Sequence, residues 1–258
     1  MDVKSAGRTI DLFEAFARAQ GPLTLSELAR ALNAPASSCF NLVRSLEARG
    51  YLYAVRSKQL YPTRRLFAVA SAIAAAEPWL TRLEPILARL RDATRETVIL
   101  GKRAGDHIVY LEVLEGPQTI RYSARAGDLK PLHSSAIGKA TLAALDDAEL
   151  APMLARMPMP RVTPATIVDP EALAADLARG RARGYFVTRG ENVADVAAAA
   201  IAIKAEKEVY GVAIAGPMQR VAAAIERHAA ALAEARAAIA AADGAASNRP
   251  VIRKRNGR

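Results

Sequence analysis

Residues 21–63 change periodicity three times in quick succession, and that succession is what most constrains the fold. Leu25, Leu28, Ala29 and Leu32 recur at helical spacing, with Thr24 or Ser26 placed to supply an N-cap oxygen and Glu27 in the first turn. Asn33-Ala34-Pro35 then forces a turn, because Pro35 cannot continue one helix and suits the start of the next. In the second helix Phe40, Val43 and Leu46, with Leu42, are the expected core face, which leaves Ser38, Asn41, Arg44 and Ser45 towards the open side. After Gly50, the runs 51–55 and 60–63 flank a polar tip, Arg56-Ser57-Lys58-Gln59, as a β-hairpin does. Ahead of all this, residues 8–19 place Ile10, Leu12, Phe13, Phe16 and Ala17 on one broad helical face that completes a three-helix core. Three helices followed by a hairpin make a winged helix-turn-helix, a layout that binds duplex DNA.

Polar residues on a helical hairpin ordinarily just meet water. The charge distribution argues for more than that. The formal net charge is +10, and residues 1–65 hold 10 Lys and Arg against 5 Asp and Glu. Residues 249–258 hold 5 bases and no acids, so 66–248 is neutral, with 21 of each. A basic excess on the segment that resembles a DNA reader predicts phosphate binding that weakens steeply with salt. The expected DNA contacts are Thr24, Ser37, Ser38, Asn41, Arg44 and Ser45, with Arg56 and Lys58 of the wing beside the sugar-phosphate backbone. Ser37 and Ser38 also bring hydroxyls and free backbone amides to a helix start, where a phosphate docks.

A chain of 258 residues suits two domains with substantial cores. The single cysteine, Cys39, excludes an intramolecular disulfide framework and fits a reducing cytoplasm. No signal-peptide pattern or membrane-length apolar run is present, so the expectation is a soluble cytoplasmic protein with no membrane partner. The expected boundaries are a reading domain at 1–63, a linker helix at 64–77, a second domain at 78–243 and a disordered basic tail at 244–258.

In the second domain a helix is expected at 79–93, followed by strands at 97–101, 108–114 and 119–125 separated by Gly105-Asp106 and Gly116-Pro117. Helices follow at 135–145, 146–156 and 170–183, strands at 185–189, 196–203 and 209–215, and one long helix at 218–242. The pattern predicts an α+β domain built on a central antiparallel sheet, an architecture suited to sensing a small molecule.

Several segments carry a specific resemblance: GPLTLSELA (21–29), LEARGYL (46–52), ETV (96–98), VYL (109–111), PLHSSAIGKA (131–140), TPATI (163–167), RGY (183–185) and AGP (215–217). In this order and spacing the chain resembles the isocitrate lyase regulator family of bacterial transcription factors. The resemblance runs from about residue 8 to 239. It implies a winged helix-turn-helix, a linker helix and a GAF-like effector-binding domain, assembled as a homodimer or dimer of dimers on a palindromic operator, with no cofactor. The family usually has a basic residue where Ala36 stands and a His-Arg pair where Phe40 and Asn41 stand. Asn41 would then read adenine, where an arginine reads guanine.

The family's effector pocket lies between the sheet and the helix after Pro131-Leu132-His133. Members similar to keto-acid sensors place Gly-Ala at the helix start, where Ala136 and Ile137 stand, and an Asp, a Cys and two Ser on the strands, where Thr188, Ala198, Ala213 and Ala215 stand, so nearly every polar side chain is replaced. Buried polar ligand atoms without partners cost about 1–3 kcal/mol each. The resemblance therefore implies a larger, more apolar effector, an aromatic acid or amide, with its polar end on Ser134 and Ser135. An alanine-packed core with no ligand is the competing reading. The family also usually has Gly where Asp195 stands and Pro where Ala202 stands.

Enzymatic readings are weak. His133-Ser134-Ser135 are adjacent in sequence but lack the G-x-S-x-G elbow, and His133 is expected to bond a loop carbonyl instead. Gly138-Lys139 lacks the preceding glycine of a phosphate loop. His107, His133 and His228 lie far apart and offer no zinc spacing, and Asp146, Asp147 and Glu149 read as a capped, solvated helix start. No catalytic or metal site is expected. The favoured function is an effector-responsive transcription regulator, a repressor of a catabolic operon. The alternatives are a hydrolase or ligand-modifying enzyme with an appended nucleic-acid-binding module, or an activator of this family without small-molecule input.

Overall fold

The computed structural model describes residues 3–76 and 78–247. The chain divides into two compact units, Met1–Pro78 and Trp79–Arg258.

The first unit contains α1 (Lys4–Ala19), β1 (Leu23–Thr24), α2 (Leu25–Ala31), α3 (Ala36–Ala48), β2 (Leu52–Ala54), a single 3-10 turn at Arg56–Lys58, β3 (Gln59–Pro62) and α4 (Arg65–Ala75). The start of α2 is fixed by a capping box, in which the Thr24 hydroxyl accepts from the Glu27 amide while the Glu27 carboxylate accepts from the Thr24 amide. Asn33, with φ at 45°, makes the turn into Pro35 and α3. Leu12, Phe16, Leu28, Cys39, Val43, Leu46, Leu52 and Leu60 form one core. β1, β3 and β2 make a small antiparallel sheet in that order.

Three expected core positions in this unit are wrong. Ile10, Ala17 and Phe40 are exposed. Cys39 takes the place assigned to Phe40, because positions 39, 43 and 46 stack on one helical face, whereas Phe40 is turned about 100° away. α4 buries no residue, and Phe67 and Ile73 are largely exposed.

The second unit has three layers. Its sheet runs β6 (Leu129–Pro131), β5 (His107–Leu114), β4 (Thr97–Ala104), β9 (Glu208–Pro217), β8 (Val196–Ala205), β7 (Phe186–Arg189), with every pair antiparallel. Strand alternation sorts the residues between two cores. Val98, Leu100, Ala199, Ile201, Val212 and Ile214 pack on α5 (Pro78–Thr94) and α10 (Ile225–Ser247). Ile99, Ala198, Ala200, Ala213 and Ala215 face α6 (Ala136–Ala143), α7 (Asp147–Arg156) and α8 (Pro170–Arg183). The alanines let α6 lie close on the sheet. α6 itself comes within reach of its own approach segment, since a Cβ on Gly138 would overlap the Leu132 backbone.

Segment 119–125 is not a strand. It is an irregular crossing held by the Thr97 hydroxyl, which donates to the Tyr122 carbonyl and accepts from the Gly116 amide, and the edge strand is instead β6. The expected terminal helix is broken at Ala224 into α9 (Met218–Ala223) and α10. α10 stays helical to Ser247, so the tail expected to be disordered from 244 begins as helix, and 248–258 lie outside the described residues. Despite Asp195 and Ala202, β8 pairs with β9 without interruption from Val196 to Ala205.

Candidate DNA-reading face and effector cavity

The reading face is the side of α3 opposite Cys39, Val43 and Leu46. Ser37, Phe40, Asn41, Arg44 and Ser45 are exposed on it, and Ser38 is half-buried. The first intrahelical bond of α3 runs from the Cys39 amide to the Pro35 carbonyl, so the amides of Ala36, Ser37 and Ser38 have no intrahelical acceptor. That end of the helix dipole favours an anion.

Three of the expected contacts, Ser38, Ser45 and Thr24, are already engaged. The Ser38 hydroxyl accepts from Arg8 of α1 at 3.2 Å, and the Ser45 hydroxyl donates to the Asn41 carbonyl at 2.9 Å. Arg8 was missed by the sequence reading because it is 30 residues away in sequence, and it joins Ser5, Ser38, Asn41 and Ser45 along one groove. Thr24 is occupied by the capping box, and its strand residue pairs with Gln59 at the base of the wing. Arg56 and Lys58 stand exposed in the turn at the wing tip. Arg44 lies over the Phe40 ring, 5.9 Å from its centroid.

In the second unit, a cavity of about 30 Å³ lies between the sheet and the start of α6. Of the expected effector contacts, Ser135, Ala136, Ile137, Thr188, Ala198, Ala213 and Ala215 line it. Ser134 does not, and its buried hydroxyl has no hydrogen-bond partner among the described residues. The Ser135 hydroxyl caps α6, accepting from the Gly138 amide and donating to the Pro131 carbonyl. It is therefore spoken for, and the polar groups at the helix start are backbone amides.

The expectation of an almost wholly apolar lining needs correction. Tyr110, Tyr122 and Asn192 also face the cavity, with Ile99, Val193 and Val196. They come from β5, the irregular crossing and the 190–195 loop, segments whose meeting no short motif announces. Burial, followed by the neighbouring Tyr122 phenol, pushes the Tyr110 hydroxyl far above its ordinary pKa, so it is a neutral hydrogen-bonding group.

Behind the cavity wall sits a buried ion triad that sequence reading also missed. Lys139 is wholly buried, with its ammonium 2.7 Å from Asp176 Oδ2 of α8 and 2.6 Å from Glu191 Oε2. Burial pushes the Glu191 carboxyl up, more than Lys139 offsets. Burial also acts on Asp176, but the bond and charge of Lys139, with Arg179 beside it, hold its carboxyl below the usual range. The hydroxyls of Thr163 and Thr166 donate to the carbonyls of Gly190 and Glu191, at 2.6 and 2.7 Å. The loop bearing Asn192 and Val193 is thus clamped through the residues that precede them.

The hydrolase reading fails on geometry. His133 Nε2 lies 3.0 Å from the Pro160 carbonyl, which can only accept, so that nitrogen carries the proton. Burial holds the imidazole below its ordinary pKa, and Ser135 is committed to its cap. Asp146 caps α7 by accepting from the Glu149 amide. Among the described residues, no group of three His, Cys, Asp or Glu is placed to hold a metal ion, and no single helix is long and apolar enough to cross a membrane.

A helix-turn-helix with a wing and a separate pocketed sheet unit define a DNA-binding transcription regulator with an effector domain. Residues 5–56 match the IclR helix-turn-helix domain and residues 73–241 match the bacterial transcriptional regulator IclR C-terminal domain, so the chain belongs to the IclR family. It is a regulator and not an enzyme. The regulator BhcR of Paracoccus denitrificans is 34% identical over 227 residues, covering 86% of this chain and 80% of that protein. The repressor AllR of Salmonella typhi is 31% identical over 219 residues, 83% of this chain and 80% of that protein. Among solved structures, the Thermotoga maritima IclR is similar with a TM-score of 0.78 and 26% identity, covering 93% of this chain and 98% of that one. An IclR homologue from Microbacterium hydrocarbonoxydans, complexed with 4-hydroxybenzoate, gives a TM-score of 0.74 and 26% identity, covering 93% and 99%.

Proposed function

We propose that this regulator binds a palindromic operator as a homodimer or dimer of dimers, and represses a catabolic operon until an aromatic acid or amide occupies the cavity beside α6. The observation that carries the effector reading is the make-up of that cavity. Ile99, Ile137, Ala198, Ala213 and Ala215 offer a ring apolar surface, while Tyr110, Tyr122, Asn192 and the first amides of α6 offer an oxygen its partners. Repression is supported by AllR, named as a repressor, and the aromatic class by the relative complexed with 4-hydroxybenzoate. A small dianion would find no cationic side chain in the lining.

About 30 Å³ accommodates a water or two and no aromatic ring. Effector entry therefore requires the wall to move, and the parts of that wall outside regular structure are the crossing that carries Tyr122 and residues 192–195, beyond the clamped Gly190 and Glu191. On the DNA side, Asn41 and Arg44 read base edges, Ser37, Ser38, Arg56 and Lys58 hold phosphates, and two reading heads are paired by symmetry on the two half-sites. The exposed apolar side chains of α4, Phe67 and Ile73, suit a contact with a second copy. The protein acts in the cytoplasm, where its operator is.

The test is a thermal-shift screen of the purified protein against 4-hydroxybenzoate, benzamide and glyoxylate, followed by operator binding with each hit. Stabilisation by an aromatic compound together with weaker operator binding is the expected outcome. Stabilisation by glyoxylate alone would overturn the aromatic assignment.

A further inference from the structure

We infer that Phe40 is a base-reading residue, whose ring takes the C5-methyl group of a thymine in the major groove and sets Arg44 beside it to read an adjacent guanine. The inference rests on the assignment of α3 as the DNA-reading helix and goes beyond it in naming the base and the group recognised.

Phe40 lies outside the core that the rest of α3 helps to build. Cys39, Val43 and Leu46 face inward, and Phe40 leaves 47% of its surface exposed. A helix that needed only solubility there would carry a polar residue, since the exposed half of an aromatic ring gains nothing from water in the free unit. Its position is also specific. One turn earlier are the free amides at Ala36 to Ser38, the next residue is Asn41, and one turn later is Arg44. Positions 37, 40, 41 and 44 form one continuous strip along the helix. This is the strip a recognition helix presents to base edges.

Arg44, one turn later, contacts the ring. It places its guanidinium over the Phe40 ring, 5.9 Å from the centroid, a cation–π contact that ties the two side chains together on the strip. A guanidinium kept beside the ring on this strip is placed to reach the O6 and N7 acceptors of a neighbouring guanine. The apolar partner that the major groove offers is the thymine methyl. The basic surroundings, with Arg8, Arg56 and Lys58 in the same unit, match a polyanion and repel a second basic copy of this face.

The test begins by selecting a binding site for the full-length protein from random duplexes. Each thymine of the selected half-site is then replaced in turn by deoxyuridine, which removes one methyl group and leaves base pairing intact. For the wild-type protein, one replacement per half-site is expected to weaken binding about fourfold, the value of one buried methyl. Phe40→Ala should bind the selected site less tightly, bind random DNA as before, and show no response at that same thymine. Phe40→Leu should keep part of the response, and because about half of the ring is exposed and none of it belongs to the core, both variants should stay folded, with at most a small fall in unfolding temperature. Equal losses for Phe40→Ala on selected and random DNA would overturn the inference. So would an unchanged uridine response in the variant, or a change in oligomeric state with base preference intact, which would make Phe40 a contact between copies. Failure to enrich any duplex would instead refute the DNA-reading assignment of α3, and this inference with it.

Discussion

Helix α3 starts from Pro35-Ala36-Ser37-Ser38 and helix α6 from His133-Ser134-Ser135-Ala136, so both offer two serines and unpaired amides at an N-terminus. Around α3 the amides open to solvent and the polar residues lie exposed. Around α6 every residue from 132 to 142 is buried, including a lysine. The same local grammar therefore serves two kinds of recognition. An exposed helix start meets a large polyanion, whose binding is screened by salt. A buried one meets a small molecule in a site from which water is excluded, where each polar group must be satisfied by a fixed partner.

Removing the buried cation should break this contrast most severely. Lys139→Met leaves Asp176 and Glu191 buried with no ammonium between them, and is expected to destabilise the second unit by about 3–5 kcal/mol in chemical unfolding. Its sign with pH is fixed. The Glu191 carboxyl already titrates above its unfolded value and loses the ammonium that held it down, so stability is retained below the unfolded pKa and lost as pH rises through the folded one. The deficit against wild type should be smallest in mildly acidic buffer and largest at neutral pH. A deficit independent of pH would mean that Glu191 does not feel the loss.

On the exposed helix, substitutions should change recognition and leave folding alone. Arg44→Ala is expected to weaken selected-site binding about 10- to 100-fold, with little change on random DNA. Arg56→Ala or Lys58→Ala should weaken both alike and lower the salt slope by about 1 each. Filter binding across a salt series separates the two classes, and equal losses for all three variants would merge reader and wing into one non-specific surface. The smallest effect sharpens the comparison from the structural side. Thr24→Ala removes the capping box of α2 and should cost the reading unit about 1 kcal/mol, read in thermal unfolding, with base preference unchanged. A relaxed base preference in that variant would return Thr24 to the list of DNA contacts.

The boundaries of most elements follow from neighbouring residues. Thr24 with Glu27, Pro35, Asp146, and Asp169 before Pro170 mark helix starts, and Gly184 in the left-handed region ends α8. Short apolar runs rich in β-branched residues at 97–101 and 209–215 mark strands buried on both faces. The cavity lining was half readable, because Ala136, Ile137, Ala198, Ala213 and Ala215 lie in segments with strong local patterns, whereas Tyr122 and Asn192 lie in irregular chain. Segment 119–125 misled because Thr119, Ile120 and Tyr122 favour strand, while Thr97 ties the segment down as a crossing. Phe40 misled because an aromatic residue is a strong core signal by type, and only the phase of the helix shows that Cys39 takes the inward position.

Sequence by itself determined what depends on residues a few positions apart: where helices start and stop, which strand residues share a face, and the placing of positive charge on the reading unit and tail. The tertiary structure alone decided what depends on residues far apart in the chain. It placed Arg8 against Ser38, closed Tyr110, Tyr122 and Asn192 around one cavity, and brought Asp176 and Glu191 to a lysine that composition would leave in water. The physical reason is that caps and periodicity are short-range properties of the backbone, whereas burial and charge pairing are set by whichever distant segments the packed sheet and helices bring together.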